Sequence, residues 1–295
     1  MKNDVILTGI PRSGTTLICH LLNKVPNTVA LHEPMLWGDI RDPSDHRAIC
    51  DKVDEFFRQT RESCIASSTA ITQQTAGEVP DNPMGKYPAY AALLRAAGKL
   101  LPGGGRLEAL GLRRSRVTRG TMRIDKSLSP DFQLCIKHTG PFTALLPELL
   151  HRHPCYAVVR HPVSVLASWN SINFQLREGR FKELERMQPE LARQLAEIPD
   201  WIDRQIHLLS WFCRSYLTLL PPERILRYED IITTGGRALG SVIPAAADLA
   251  QPLESRNKNN LYDRELMGRI AARLKVNEGP IWDLFRKDSI DECLG

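Results

Sequence analysis

Nowhere in these 295 residues are two cysteines spaced Cys-x-x-Cys. The seven present, Cys19, Cys50, Cys64, Cys135, Cys155, Cys213 and Cys293, are odd in number and widely separated, which argues against a disulfide framework or a zinc site. No apolar run approaches the roughly 20 residues of a membrane span. The amino end, Met-Lys-Asn-Asp, leads straight into Val5–Leu7 without a signal-peptide core, so a cytoplasmic protein is expected. Repeats and low-complexity tracts are also missing. Neither charge dominates, with 39 Lys and Arg against 34 Asp and Glu. This mild surplus fits an anionic ligand without implying nucleic acid. Its one concentration, at 106–123, reads as a solvated helix or loop.

What is present is alternation. A buried strand at 4–8, a turn at 9–14 and an apolar helix at 15–23 open the chain. A short apolar segment at 28–31 ends at His32-Glu33-Pro34, where proline stops further pairing. Regularity returns with a strand at 133–137, a helix at 142–150, a strand at 155–159 and a helix at 162–171. Farther on come a long helix at 203–220, a strand at 224–228, a helix at 236–247 and a polar, cationic segment at 255–260. Short turns between such elements imply a parallel sheet with right-handed crossovers. Between them, 40–125 is less regular, with helices expected at 51–61 and 90–101 and a polar, turn-rich stretch at 67–85. It reads as an insertion shaping a pocket within one domain spanning 1–295.

Gly9-Ile10-Pro11-Arg12-Ser13-Gly14-Thr15-Thr16 has the frame of a nucleotide-binding P-loop, but Thr15 stands where that loop carries lysine. Glycine lets the backbone approach an anion, successive amides and the helix amino end supply donors, and Arg12 adds a charge-assisted fork. Arg12, Ser13, Gly14, Thr15 and Thr16 are therefore candidate anion contacts.

Pro-Arg-Ser-Gly-Thr-Thr after an amino-terminal strand resembles the 5′-phosphosulfate loop of sulfotransferases that use 3′-phosphoadenosine 5′-phosphosulfate (PAPS). Tyr156-Ala157-Val158-Val159-Arg160-His161-Pro162, followed by Ser168, is similar to that family's 3′-phosphate site. The pattern is closest to the branch holding protein-tyrosine and bacterial carbohydrate sulfotransferases. The resemblance implies an α/β, P-loop-NTPase-like three-layer fold with a central parallel sheet flanked by helices, plus the insertion. It implies PAPS as donor, 3′,5′-ADP as product and no metal. The acceptor would carry a hydroxyl, as in a carbohydrate or small molecule; neither nucleic acid nor a transmembrane segment is expected, and monomer and homodimer both remain open.

Site roles follow from the same resemblance. Glu33 would be the general base, with His32 a rival and His138 a weaker one; a partly desolvated carboxylate at a strand end can take a hydroxyl's proton. Lys137 and Arg12 would stabilise the transferring group. Arg160 and Ser168 would hold the 3′-phosphate, Tyr228 would pack near adenine, and Arg256 and Lys258 would reach the 3′-phosphate from a late loop. Two other readings compete. A P-loop kinase or NTPase would need a loop lysine and a strand-end aspartate for magnesium, a place that Glu229-Asp230 could imitate. A non-catalytic nucleotide-binding protein would keep both phosphate sites without a base.

Overall fold

A computed structural model describes residues 4–38, 40, 42–75, 117–172, 174–259 and 262–294. The segment Val5–Leu7 with Thr8 is apolar on both sides, so it forms a strand covered on both faces, β1 (Asp4–Gly9). Four further strands join it in parallel: β2 (Thr28–His32), β5 (Gln133–Lys137), β6 (Cys155–Val159) and β7 (Ile225–Arg227), in the order β2-β5-β1-β6-β7. Alternate side chains of β1 feed two cores. Ile6 packs into one with α5 (Pro162–Asn170) and α8 (Trp201–Leu219), while Val5 and Leu7 pack into the other with α1 (Thr15–Leu22). Helices thus cover both faces of a central parallel sheet, the three-layer α/β arrangement expected.

Since all five strands run the same way, their carboxyl ends share one edge. In register, His32 lies beside Lys137, Lys137 beside Leu7, Gly9 beside Val158, and Val159 beside Arg227. The chain leaves β1 toward β5 and β2 on one side and toward β6 and β7 on the other. That makes β1 a switch point, where ligands of open α/β sheets settle.

Several elements differ from expectation. The helix expected at 51–61 is α2 (His46–Ser67), capped by the Asp45 carboxylate accepting from Ala48 N at 2.9 Å, and its Ile49, Cys50, Val53, Phe57 and Cys64 belong to the main core. The polar stretch at 67–85 begins with a strand, β3 (Thr69–Thr75), antiparallel to β4 (Val117–Arg123), and Thr72 Oγ1 accepts from His32 N at 2.9 Å. Polarity misled here because a two-stranded ribbon needs little apolar surface. The helix expected at 90–101 lies outside the described residues. The one at 142–150 is split into α3 (Gly140–Ala144) and α4 (Leu146–Leu149), since Pro147 has no amide to continue the first. The helix expected at 236–247 is two 3₁₀ turns, Arg237–Ser241 and Pro244–Asp248, interrupted at Pro244. Helices α6 (Lys182–Met187), α7 (Pro189–Glu197), α9 (Tyr228–Thr233), α10 (Arg264–Val276) and α11 (Ile281–Leu284) complete the chain. No described helix is long and apolar enough to cross a membrane.

Candidate active site

The turn from β1 to α1 is closed by Ser13, whose N and Oγ both donate to Ile10 O, at 3.1 and 2.6 Å. Ser13 is fully buried, so the hydroxyl expected to face an anion instead holds the loop's shape. Arg12 (φ 73°) and Gly14 (φ 87°) take left-handed backbone. Such alternations build anion-binding nests, and the first amides of α1 have no acceptor within their own helix. Gly14 is required twice over, because a Cβ there would sit 2.6 Å from Tyr228 Cδ2. Gly14→Ala should therefore cost about 1–3 kcal/mol in backbone strain and collision. A thermal midpoint and a nucleotide affinity both equal to wild type would show that loop and Tyr228 do not depend on each other.

The loop and the β6–α5 turn are joined directly. Arg12 Nε donates to Ser168 Oγ at 3.1 Å, and Arg160 Nη1 donates to Arg12 O at 3.0 Å. Trp169, wholly buried, donates its indole N–H to Pro11 O at 2.8 Å. The Arg160 guanidinium also donates through Nε to Asn257 Oδ1 at 2.7 Å, reaches Tyr262 Oη at 3.4 Å, and lies 4.5 Å over the Tyr228 ring. Tyr228 opens α9 rather than ending a strand, and with one face under Arg160 and an edge on Gly14 it braces the loop. Its hydroxyl accepts from Arg256 N at 2.9 Å. In the late segment the side chains of Arg256 and Lys258 are exposed, and Asn257 between them is the one that reaches Arg160. The sequence pointed to cationic and amide donors in this segment without singling out Asn257, and it did not mark Trp169 or Tyr262; the contacts of all three span 97 to 158 residues.

At the other end of the edge stands Glu33, in left-handed backbone (φ 45°) with its N donating to Lys137 O at 2.8 Å. Lys137 Nζ donates to Glu33 Oε1 at 2.7 Å and lies 3.3 Å from His32 Nε2. The ammonium is buried while 29% of the Glu33 side chain remains open to solvent, so the carboxylate can still be reached. Burial pushes the Glu33 carboxyl up, but the adjacent Lys137 charge and hydrogen bond outweigh it and hold the group at about 2. Lys137 pairs in register with Leu7, two residues before Gly9, so the loop and the Glu33–Lys137 pair stand on one sheet edge.

Beyond Glu33, the strap formed by 34–38 and Ile40 is tied from three sides. Arg119 Nε donates to Pro34 O at 3.0 Å, Arg186 Nη2 donates to Ile40 O at 3.1 Å, and Trp37 Nε1 donates to His138 Nδ1 at 2.9 Å. His138 Nε2 faces Met35 N at 3.2 Å, so both ring nitrogens look into the strap and neither toward a ligand. Leu36, on this strap, is 56% exposed.

Three histidines are buried here. Burial, helped by Lys137, holds His32 at about 3; burial likewise holds His138 at about 3 and His161 at about 4. Each folded value lies below the ordinary 6.5, so the unfolded chain binds protons that the folded one refuses. Stability should be full above about pH 6.5 and fall as pH drops toward 4. Urea midpoints at pH 7.5 and 4.5 test this, and equal midpoints would contradict it. His138→Gln should flatten the decline.

No protein-family model matches the chain, and no curated protein does. Among solved structures it is similar to a sulfotransferase from Alicyclobacillus acidocaldarius, at 15% identity and a TM-score of 0.38, covering 93% of this chain and 94% of that one. It is also similar to sulfotransferase STF9 from Mycobacterium avium, at 14% identity and a TM-score of 0.35, over 97% of this chain and 77% of that one. A third, sulfotransferase STF1 from Mycobacterium tuberculosis H37Rv, shares 13% identity with a TM-score of 0.30, over 100% and 77%. Likeness this distant carries no functional weight, and the site must speak through its own residues.

Proposed function

We propose that this chain is a cytoplasmic sulfotransferase that moves the sulfuryl group of PAPS to a hydroxyl of a carbohydrate or small molecule. The observation that carries this reading is the contact of two anion sites, Arg12 on Ser168 and Arg160 on the Arg12 carbonyl. A nucleotide phosphorylated at both 5′ and 3′ positions matches two such sites side by side. Its 5′ end suits the cradle at Gly9–Thr15, where a buried Thr15 stands in the position that a P-loop gives to lysine. Its 3′-phosphate suits Arg160 and Ser168.

On this reading the acceptor oxygen attacks sulfur in line as the sulfur–oxygen bond to the 5′-phosphate breaks, and 3′,5′-ADP departs. Glu33 takes the acceptor's proton. Loop amides, Arg12 and Lys137 stabilise the charge on the sulfuryl oxygens and the leaving oxygen. The kinase alternative fares worse. Glu229 Oε1 accepts from His161 N at 3.0 Å and from Asn257 Nδ2 at 2.9 Å, so it is engaged away from the loop, and Asp230 is exposed.

Calorimetry should show 3′,5′-ADP binding more tightly than ATP with magnesium, and mass spectrometry of acceptor pools incubated with PAPS should show a gain of one sulfate. Tighter ATP binding, or ATP turnover, would replace the proposal with a kinase. Tight 3′,5′-ADP binding with no transfer to any pool would favour a non-catalytic protein.

A further inference from the structure

Glu229 lies outside the machinery so far described, yet it is built into the site's foundation. Its Oε1 accepts from His161 N, the amide following Arg160, and from Asn257 Nδ2. Asn257 Oδ1 in turn accepts from Arg160 Nε at 2.7 Å, and Asn257 O accepts from Ser164 Oγ at 3.1 Å. An amide has one acceptor end and one donor end. With a carboxylate on one side and a guanidinium on the other, only one of its two orientations pairs at both. Glu229 Oε2 is buried and finds no partner, a cost tolerated while Oε1 serves two donors.

Resting on the donor reading above, we infer that Glu229 is a positioning residue for the 3′-phosphate: it fixes the Asn257 amide, which pins Arg160 by its Nε edge. The guanidinium has five N–H groups. Nε goes to Asn257, one Nη1 hydrogen to Arg12 O and one Nη2 hydrogen to Tyr262 Oη, which leaves one N–H on each terminal nitrogen for an anion. Pinning the third corner sets the plane of that remaining pair. The same Asn257 holds the late segment against the β6–α5 turn, so the 3′ site is assembled before any nucleotide arrives, which lowers the ordering cost of binding.

The test is calorimetry with 3′,5′-ADP and 5′-ADP on folded proteins. Glu229→Ala should weaken 3′,5′-ADP about tenfold and 5′-ADP by less than about threefold, the scale of a residue acting through a ligand-bearing neighbour. Glu229→Gln, which keeps an oxygen for both donors, should stay within about threefold of wild type, a rescue that an effect of bulk charge would not predict, whereas Glu229→Met, which fills the space without an acceptor, should be as weak as the Ala variant. Adding Asn257→Ala to Glu229→Ala should cost little more, because both act along one route. If Glu229→Ala does not fold, Asn257→Asp, which turns a second carboxylate toward Glu229, should show the same selective loss. Equal losses for the two nucleotides, full affinity in Glu229→Ala, or a Gln variant as weak as the Ala one would each overturn the inference. A wild-type protein binding both nucleotides alike would sink the donor reading itself, and a selective wild type with an unselective Glu229→Ala loss would sink the inference alone.

Discussion

Glu33→Gln should lower turnover by roughly two to four orders of magnitude while 3′,5′-ADP affinity stays close to wild type. The carboxylate accepts from Lys137 Nζ, and glutamine can still do so, so donor binding has little to lose. Proton transfer has everything to lose, because the amide cannot take up a hydroxyl's proton. A group held at about 2 is a weak base, and in the proposed reaction its partner would let it become a stronger one. Once the donor arrives, the buried Lys137 ammonium has a second anion to serve. Any part of its charge drawn to the leaving oxygen is charge withdrawn from Glu33, whose burial then acts unopposed and raises its proton affinity. Lys137→Met should accordingly raise the Glu33 carboxyl from its depressed value and lose turnover as well. The rivals are badly placed, since His32 turns Nε2 to Lys137 and His138 faces the strap with both nitrogens. Single-turnover rates with saturating donor decide the matter. A fully active Glu33→Gln beside an inactive His32→Ala would move the base to His32.

Much of this site could be read from sequence because it lies where local patterns are strongest. Buried parallel strands are short apolar runs, and the residues at or just beyond their ends, Glu33, Lys137, Gly9–Gly14 and Arg160, fall at one edge by the parallel topology alone. Asn257, Glu229 and Tyr262 were harder. Each acquires its role from a partner distant in sequence, with Asn257 reaching back 97 residues to Arg160, and no local periodicity marks such a contact. Ser13 has a structural part that its place in the loop does not announce. A hydroxyl in an anion loop invites a ligand role, yet the tight turn needs it for Ile10 O. The ribbon β3–β4 was hidden by its threonines and glutamines, which pair as well as apolar residues do when one side is solvated. Tyr228, expected to pack near an adenine, lies against Gly14 and under Arg160, a position that depends on where the ring sits rather than on residue type.

Arg160→Ala should weaken 3′,5′-ADP by about ten- to hundredfold or more, since charge-assisted hydrogen bonds are worth roughly 1.5–3 kcal/mol each. The loss should depend on the ligand, because ordinary 5′-ADP lacks the group those bonds would hold. Arg160 also supports the protein, through the Arg12 carbonyl, Asn257 and the face of Tyr228, so some loss of 5′-ADP affinity is expected from a loosened loop. The ratio of the two losses separates the roles. Arg160→Lys sharpens the test: it keeps a charge but not the planar fork that bonds Asn257 and the Arg12 carbonyl together, so it should restore less than half of the lost binding free energy. Ser168→Ala removes one hydroxyl and releases Arg12 Nε, and should show the same selectivity with a smaller loss. Arg160 and Ser168 are both nearly buried, so raising salt should erode the wild-type preference only partly. Equal losses for both nucleotides in Arg160→Ala would assign this arginine to the loop's architecture, and the 3′-phosphate would need another seat.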